Sequence, residues 1–313
     1  MKDYLSLYEQ CTLCPRCCGV NRLRDEFGFC RSGSRLRAAA AVLHKGEEPG
    51  ITGPGGSGTI FFSGCTLGCS FCQNYQVSRE GSGGLITLEE LTEMVLSLQN
   101  RGAENINLVT GTHFVPTILE AVRGAKTRGL KIPVVWNSSG FETEETVTML
   151  SREIDIFLPD CKTLSEKASL FLFQTPSYPG NALKSIELMA RLKPEVSVIR
   201  GVITAGVIVR HLVLPSYLDE TKRVIDWFQK ELKNRCYFSL LGQYTPVPSS
   251  PAGNLSRRLT RDEYEEAVDY LLKSIIEEGY IQDFSDDSGW LPDFREENPF
   301  PSSQSITLWS GGR

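Results

Sequence analysis

Three cysteines in one short segment have the residue type and spacing to bind a metal centre. Cys65, Cys69 and Cys72 are separated by three and two residues, so a short loop can direct three thiolates at one point. Three thiolates complete neither a tetrahedral zinc site nor a four-cysteine iron–sulfur site. The segment therefore holds either an iron–sulfur cluster with one open iron or zinc with a fourth ligand from elsewhere, and the spacing leaves both open.

A second group of cysteines lies closer to the N-terminus. Four of its members can supply thiolates together: Cys11, Cys14, Cys18 and Cys30. Cys17 is then spare, or it exchanges roles with Cys18. Four thiolates fit a closed site, either structural zinc or an auxiliary iron–sulfur cluster. A run of reduced cysteines without metal is the alternative.

The composition bounds what this chain can be. Its 313 residues are 41% apolar and 23% charged, which is normal for a globular protein with a large core. A net charge of −5 argues against a nucleic-acid surface as the main function. No apolar run reaches the roughly 20 residues of a spanning helix, and the N-terminus carries no apolar leader. We therefore expect a cytoplasmic protein without membrane contact, in which clustered cysteines favour metal over disulfides.

The elements that position these cysteines follow an alternating pattern. Six apolar runs predict strands, and five helices between them and one after the last complete a series of β-α repeats. The predicted strands are 60–62, 106–109, 132–136, 154–158, 207–214 and 236–241. The predicted helices are 87–100, 115–128, 144–151, 182–192, 220–232 and 260–279, two of them opened by capping boxes. Residues 33–58 show no strong element, and the glycines of 53–58 precede a strand, which excludes a dinucleotide-binding loop.

This pattern predicts an α/β fold of parallel strands, in three segments. Residues 1–50 form a cysteine-rich extension, residues 51–250 a partial barrel, and residues 251–313 a C-terminal helix and closing tail. In the tail, residues 290–294 are expected to pack as the closing segment. Parallel strands joined by right-handed crossovers give either an open sheet or a barrel, and a barrel carries its active site at the carboxyl ends of its strands.

Polar residues gather at those strand ends. The cysteine loop follows the first strand, Thr110 the second and Asn137 the third, while Asp160 and Lys162 follow the fourth. Asp160 and Lys162 are two residues apart, so on extended backbone they point to the same side. Lys162 could pair with a ligand carboxylate, and Asp160 could accept from an amine or fix Lys162. The alternative is a surface salt bridge.

Two further side chains are candidates for the site. Arg210 lies inside an apolar strand, where an unpaired charge is costly, so it has a partner, either the ligand carboxylate or an internal acid. Phe71 offers an apolar face beside the cysteines on which a purine could stack, or it packs in the core. His113 is either the start of a helix or a site residue, whereas His211 and His44 are expected to be structural.

The cysteine motif, with Phe71 before its last cysteine, resembles the signature of radical S-adenosylmethionine (SAM) enzymes. Within that superfamily the chain is most similar to the pyruvate formate-lyase activating-enzyme-like proteins. The resemblance implies a partial (β/α)6 TIM-like barrel and a 4Fe–4S cluster on the three cysteines, with SAM on the open iron. It also implies that Asp160 and Lys162 contact the methionyl end of SAM and Phe71 the adenine.

The same resemblance implies an activity. A flavodoxin- or ferredoxin-type protein would donate one electron, SAM would be cleaved, and the resulting radical would take a hydrogen atom from a substrate such as a protein glycine. Two features depart from the family pattern. The segment after the second strand begins Thr110-Gly111-Thr112 instead of Gly-Gly-Glu, and the simplest activating enzymes lack the N-terminal cysteines. The alternative from another class is a zinc-stabilised binding protein with a catalytically idle barrel.

Overall fold

The computed structural model describes residues 4–285, 291–301 and 303–311. In the part of the chain that the structure describes, no helix is both long and apolar enough to cross a bilayer. The strands are β1 (Arg37–His44), β2 (Ser57–Phe62), β3 (Gly84–Leu85), β4 (Asn105–Val109), β5 (Val134–Ser138), β6 (Ile156–Pro159), β7 (Ser197–Ile199), β8 (Val202–Leu212), β9 (Tyr237–Leu241), β10 (Gly279–Ile281) and β11 (Ser305–Ser310). The helices are α1 (Pro49–Thr52), α2 (Tyr75–Ser78), α3 (Leu88–Asn100), α4 (Val115–Thr127), α5 (Glu144–Leu150), α6 (Glu166–Phe173), α7 (Tyr178–Leu192), α8 (Leu218–Glu231) and α9 (Arg261–Leu272).

One large, mostly parallel sheet organises the fold. The six predicted strands are β2, β4, β5, β6, β8 and β9, and they lie side by side in that order. Neighbours among them are parallel. Because the order never reverses along the chain, the sheet is a barrel wall and not a doubly wound sheet with a switch point. The wall does not close, since β10 extends it at one end and β1 and β11 at the other. The predicted partial barrel is confirmed.

Alternation along the strands separates two faces of this wall. On β5, Val134 and Trp136 are fully buried in the large core formed with the surrounding helices. Val135 points the other way, into a smaller cluster that includes Ile156 and Ile208. Because the side chains of a strand alternate between faces, Asn137, two residues after Val135, lies on the same inner face near the end of β5.

The helices begin where the sequence predicts capping. Thr87 and Glu90 bond each other's backbone amides at the start of α3, and Thr260 and Glu263 do the same for α9. The last helix is shorter than predicted, because α9 ends at Leu272 and the chain then forms β10.

The prediction for residues 33–58 is wrong. Residues 37–44 form β1, which pairs antiparallel with both β2 and β11. Its run of four alanines has no strand propensity of its own. The segment is a strand because seven of its eight residues are buried between neighbouring elements. The connection from β1 to β2 then crosses the bottom of the wall, where Ile51 of α1 is fully buried against the inner cluster.

The C-terminal segment covers one edge of the wall. Phe294 and Phe300 are buried against Phe61 of β2, with ring centroids 5.2 and 5.4 Å from it. Gln76 holds this segment by donating to the carboxylate of Asp293 at 2.8 Å. Of the closing segment predicted at 290–294, Trp290 lies outside the described residues.

Candidate functional site

A cavity of about 200 Å³ opens at the carboxyl ends of the parallel strands. The loop that carries the three cysteines follows β2 and forms one side of it. The other predicted site residues come from four more strand ends, and the cavity brings them together. Its lining includes Cys65, Cys69, Cys72, Phe71, Thr110, Asn137, Asp160, Lys162 and Arg210.

Two arginines shape the cysteine loop by binding its carbonyl oxygens. Arg16 donates to the carbonyls of Thr66 at 3.2 Å and Leu67 at 3.1 Å. Arg79 donates to the next carbonyl, that of Gly68. Three successive carbonyls are therefore held by guanidinium groups, and this fixes the orientation of the peptide planes between the first two cysteines.

Hydrogen bonds also reach two of the sulfurs. The amide of Gly68 donates to Sγ of Cys65, and the hydroxyl of Ser78 donates to Sγ of Cys72, both at 3.4 Å. Burial raises the pKa of the Cys69 thiol, with Lys162 opposing. Metal ligation must therefore displace a proton from this thiol.

The donor set suits a cluster better than a single ion. Across the described residues, no three His, Cys, Asp or Glu side chains converge closely enough to hold one metal ion. A zinc ion would need its sulfurs at about 2.3 Å from a common point. Thiols that surround an open cavity without meeting at one point fit a four-iron cluster, in which each thiolate binds a different iron.

Opposite the cysteines, Asp160 pairs with two partly buried cations. Lys162 Nζ lies 2.8 Å from one carboxylate oxygen, and Arg210 Nε lies 3.2 Å from the other. Burial by itself would raise the pKa of Asp160, but Lys162 and Arg210 together outweigh it and hold that pKa below its ordinary value. Asp160 is therefore ionised at neutral pH, and the pair is partly buried instead of being a surface salt bridge.

Arg210 has a second acidic partner that the sequence did not reveal. Its guanidinium lies 3.1 Å from Glu47 and also donates to the side-chain oxygen of Asn137. Glu47 comes from the β1–β2 connection and accepts from Asn107 at 2.9 Å. Burial raises its pKa, with Arg210 the main opposing influence. Nothing in the sequence near Glu47 signals this contact, because it depends on the connection crossing beneath the wall.

A buried tyrosine positions the turn that carries Lys162. The hydroxyl of Tyr178, at the start of α7, accepts from the Lys162 amide at 3.0 Å. It also lies 3.0 and 2.9 Å from the carbonyls of Ser139 and Asp160. One hydroxyl thus joins the segments that follow β5 and β6, and sequence reasoning missed it because tyrosine in a helix is usually a packing residue.

The aromatic and hydroxyl candidates occupy distinct positions. Phe71 is buried and packs against Phe173 and Tyr244, yet it also lines the cavity. Thr110 has φ +60°, a left-handed conformation that is a true outlier for a β-branched residue. Its amide donates to the carbonyl of Asn137 at 2.9 Å, which joins the ends of β4 and β5.

Two of the three histidines, His113 and His211, do not line this cavity, whereas His44 does. His113 is buried beside the loop, where its Nε2 lies 2.8 Å from the carbonyl of Ser63. His211 is buried between the carbonyl of Cys161 at 2.7 Å and the hydroxyl of Thr221 at 3.0 Å. His44 is buried, and its ring lies 4.7 Å from that of Phe300, which lines the same cavity.

The N-terminal cysteines surround a separate, smaller cavity. Cys11, Cys14, Cys18 and Cys30 line it, and Cys17 does not. The sulfur of Cys17 instead lies 3.6 Å from the carbonyl of Cys14, on the exposed side of the segment. The structure thus groups Cys18, and not Cys17, with the other three.

Comparison with known proteins identifies a family whose members this chain resembles in sequence. Residues 59–228, more than half of the chain, match the Radical SAM superfamily. The protein MJ0674 of Methanocaldococcus jannaschii is 30% identical over 273 residues, which cover 84% of this chain and 75% of that protein.

Two solved structures are similar in fold. SuiB of Streptococcus suis, bound to precursor peptide SuiA, matches with a TM-score of 0.47 and 12% identity over 70% of this chain and 46% of its own. This chain thus spans about half the length of SuiB. A domain of pyruvate-formate lyase-activating enzyme from Bacteroides vulgatus matches with a TM-score of 0.40 and 12% identity, over 54% of this chain and 91% of that domain.

Proposed function

The chain belongs to the radical SAM superfamily, and from that premise we propose that Cys65, Cys69 and Cys72 hold a 4Fe–4S cluster whose open iron binds SAM. When bound and reduced, this cluster supplies the electron that cleaves SAM to methionine and a 5′-deoxyadenosyl radical, which takes a hydrogen atom from a substrate. The observation that carries the proposal is that one cavity is lined by the three cysteines and by the partly buried pair of Asp160 and Lys162.

In this proposal the charged residues orient the methionyl end of SAM. Lys162 and Arg210 supply positive charge for a carboxylate, and Asp160 supplies an ionised acceptor for an amine. Because Asp160 is held by both cations, its carboxylate stays in one place before the ligand arrives. Such preorganisation lowers the cost of ordering the site on binding.

The remaining cavity residues orient the nucleoside and limit water. Phe71 offers its ring face to the adenine, while Thr110 and Asn137 offer polar groups at neighbouring strand ends. Phe300 of the C-terminal segment lines the cavity from the side of β1. We assign the extension to residues 1–50, the barrel to 51–250 and the closing segment to 251–313.

The finer part of the proposal concerns substrate and partners. We propose an activating-enzyme-like oxidoreductase that takes its hydrogen atom from a protein glycine and its electron from a flavodoxin- or ferredoxin-type donor in the cytoplasm. The support is the resemblance of the cysteine motif and of the segments around Asp160 and Lys162 to that family.

The cleavage reaction is tested under anaerobic conditions. The reconstituted protein is incubated with SAM and dithionite, and 5′-deoxyadenosine and methionine are quantified by mass spectrometry. The triple variant Cys65→Ala/Cys69→Ala/Cys72→Ala is the control and is expected to form neither product. Absence of 5′-deoxyadenosine from the wild type would contradict the proposal, and zinc as the sole bound metal would favour an idle binding protein.

The substrate is tested by isotope transfer. Candidate proteins and peptides are prepared with deuterated glycine and incubated with the enzyme, SAM and reductant. Deuterium in 5′-deoxyadenosine identifies the hydrogen donor. If the enzyme cleaves SAM but deuterium arrives only from another residue type or a small molecule, the glycine assignment is wrong while the superfamily reaction stands.

A further inference from the structure

The cavity lined by Cys11, Cys14, Cys18 and Cys30 has no assigned role in SAM cleavage. Two of these residues, Cys11 and Cys14, are buried, and the cavity between the four presents no polar surface. A single buried cysteine packs as a small hydrophobe, but four cysteines around one cavity also form the donor set of a four-thiolate metal centre. Their grouping therefore points to a ligand that thiolates bind.

The local backbone is fitted to the sulfur of Cys18. A side chain at Gly28 would place its first carbon 2.7 Å from that sulfur, closer than atoms can approach. Cys18 is exposed in the structure, as Cys17 is, yet only Cys18 faces the cavity. The absence of a side chain at Gly28 thus leaves room for the Cys18 sulfur beside the cavity.

A buried cation beside the same cavity lacks an acidic partner. Arg22 is fully buried, and in the described ranges no carboxylate lies within ion-pair distance of it. Its guanidinium donates to the carbonyls of Ser32 at 2.9 Å, of Gly33 and of His113, and Nη1 lies 3.8 Å from Sγ of Cys11. A buried charge without a counter-charge is costly, so a nearby anion is expected.

We propose that Cys11, Cys14, Cys18 and Cys30 bind a second iron–sulfur cluster, closed by four thiolates and balanced in charge by Arg22. Four thiolates leave no open iron, so this cluster does not bind SAM. Four thiolates are also a complete donor set for zinc, so zinc as the bound metal is the outcome that would contradict this proposal.

The second site lies directly behind the SAM loop. Arg16, between Cys14 and Cys18, donates to the carbonyls of Thr66 and Leu67. Just before that loop, the backbone of Gly64 is packed so tightly on Cys30 that an added Cβ would lie 2.8 Å from its carbonyl oxygen. A cluster in the N-terminal segment would therefore brace the loop that holds the first one.

The first test counts metal in a variant without the SAM-loop cysteines. Cys65→Ala/Cys69→Ala/Cys72→Ala, reconstituted anaerobically, is expected to keep iron and inorganic sulfide, roughly half of the wild-type content if both clusters are cubanes. Adding Cys14→Ser and Cys18→Ser should remove them, whereas adding Cys17→Ser should not. A triple variant with no iron, or with zinc alone, overturns the proposal. Because the SAM loop is already disabled, this outcome is independent of SAM cleavage.

The second test uses two adjacent thiols in the intact wild-type protein. Anaerobic alkylation with iodoacetamide, followed by peptide mass spectrometry, should modify Cys17 and spare Cys18, although both are exposed. Removal of iron with a chelator under reducing conditions should then make Cys18 reactive. Equal modification of Cys17 and Cys18 before chelation overturns the proposal, and this readout needs no variant to fold.

Discussion

The SAM loop and the N-terminal cysteine segment both place thiols around a cavity, but the two cavities differ in charge and access. The cavity at Cys65–Cys72 is open and lined by cations that already have acidic partners. The cavity at Cys11–Cys30 is apolar, and its buried Arg22 has no acidic partner in the described part of the chain. The first therefore suits the SAM and cluster that we propose there, and the second suits the anionic cluster that we propose for the N-terminal segment.

Removing one thiol from each region should have the largest effects and should show that the two regions have different roles. Cys69→Ser is expected to abolish SAM cleavage, because three thiolates are the minimum for an open-iron cluster. Cys18→Ser should leave SAM cleavage measurable while lowering total iron. The measurements are 5′-deoxyadenosine formed per chain and iron per chain. If Cys18→Ser eliminated activity as fully as Cys69→Ser, the functional distinction between the regions would be lost.

Removing a cation from the cavity at Cys65–Cys72 should have the next largest effect, a loss of SAM affinity. Lys162→Ala removes one partner of a buried ion pair, and we expect SAM to bind at least about 30-fold more weakly, or about 2 kcal/mol. Iron content should not change. Lys222→Ala is the matched control, since Lys222 forms an exposed pair with Glu266 at 2.9 Å. SAM affinity is measured by equilibrium dialysis, and equal effects of both changes would argue against a ligand contact at Lys162.

Arg16 connects the two regions, so its removal tests their coupling. Arg16→Ala frees the carbonyls of Thr66 and Leu67, and such supporting contacts are typically worth about 10-fold or more in metal affinity. We expect the SAM-loop cluster to be lost faster to a chelator than in the wild type. Arg128→Ala, which removes an exposed guanidinium paired with Glu89, is the control. Unchanged loss rates would show that the loop holds its shape without the N-terminal segment.

Two tyrosines separate a site effect from a stability effect. Tyr178 and Tyr264 each place a buried hydroxyl between two backbone carbonyls, the latter those of Leu240 and Gln282. Either Tyr→Phe change should lower the free energy of unfolding by about 1–3 kcal/mol. Only Tyr178→Phe should also weaken SAM binding, since it releases the Lys162 amide. Identical SAM affinities in both variants would make Tyr178 purely structural.

The smallest expected effect is on the pH dependence of stability, and it concerns His211 on strand β8 of the wall. Burial lowers the pKa of His211 to about 4, whereas an unfolded histidine titrates near 6.5. As pH falls below about 6.5, the unfolded chain binds a proton first, so stability is lost. Relative to the wild type, His211→Gln should lose about 1 kcal/mol less between pH 7 and 5.5. Urea unfolding of both proteins at each pH measures this, and parallel losses would mean that His211 is protonated in the folded state.

The parallel strands and the starts of the helices could be predicted from sequence, because neighbouring residues favour the same structure that these segments adopt in the fold. The strands before Cys65 and Asp160 contain continuous apolar runs, as expected for a parallel sheet covered on both faces. Capping at Thr87 and Thr260 likewise needs only neighbouring residues. The position of Lys162 beside Asp160 follows from their spacing on extended backbone.

The parts that sequence could not supply depend on distant partners. β1 is a strand only because β2 and β11 lie on either side of it. The choice of Cys18 over Cys17 is made by backbone geometry, since Cys17 has φ +43° and turns outward. Glu47 and Tyr178 reach the site from elements that carry no motif.

The contact between Arg210 and Glu47 joins residues 163 positions apart. Glu47 enters from below the wall, so this ion pair can form only after the strands from β2 to β8 have assembled above it. Loop-closure entropy opposes such a long-range contact until the intervening structure exists. We therefore expect the Arg210 contacts of the cavity to form late in folding, and a chain arrested during synthesis before β8 would carry all three SAM-loop cysteines and the Asp160–Lys162 pair but lack Arg210.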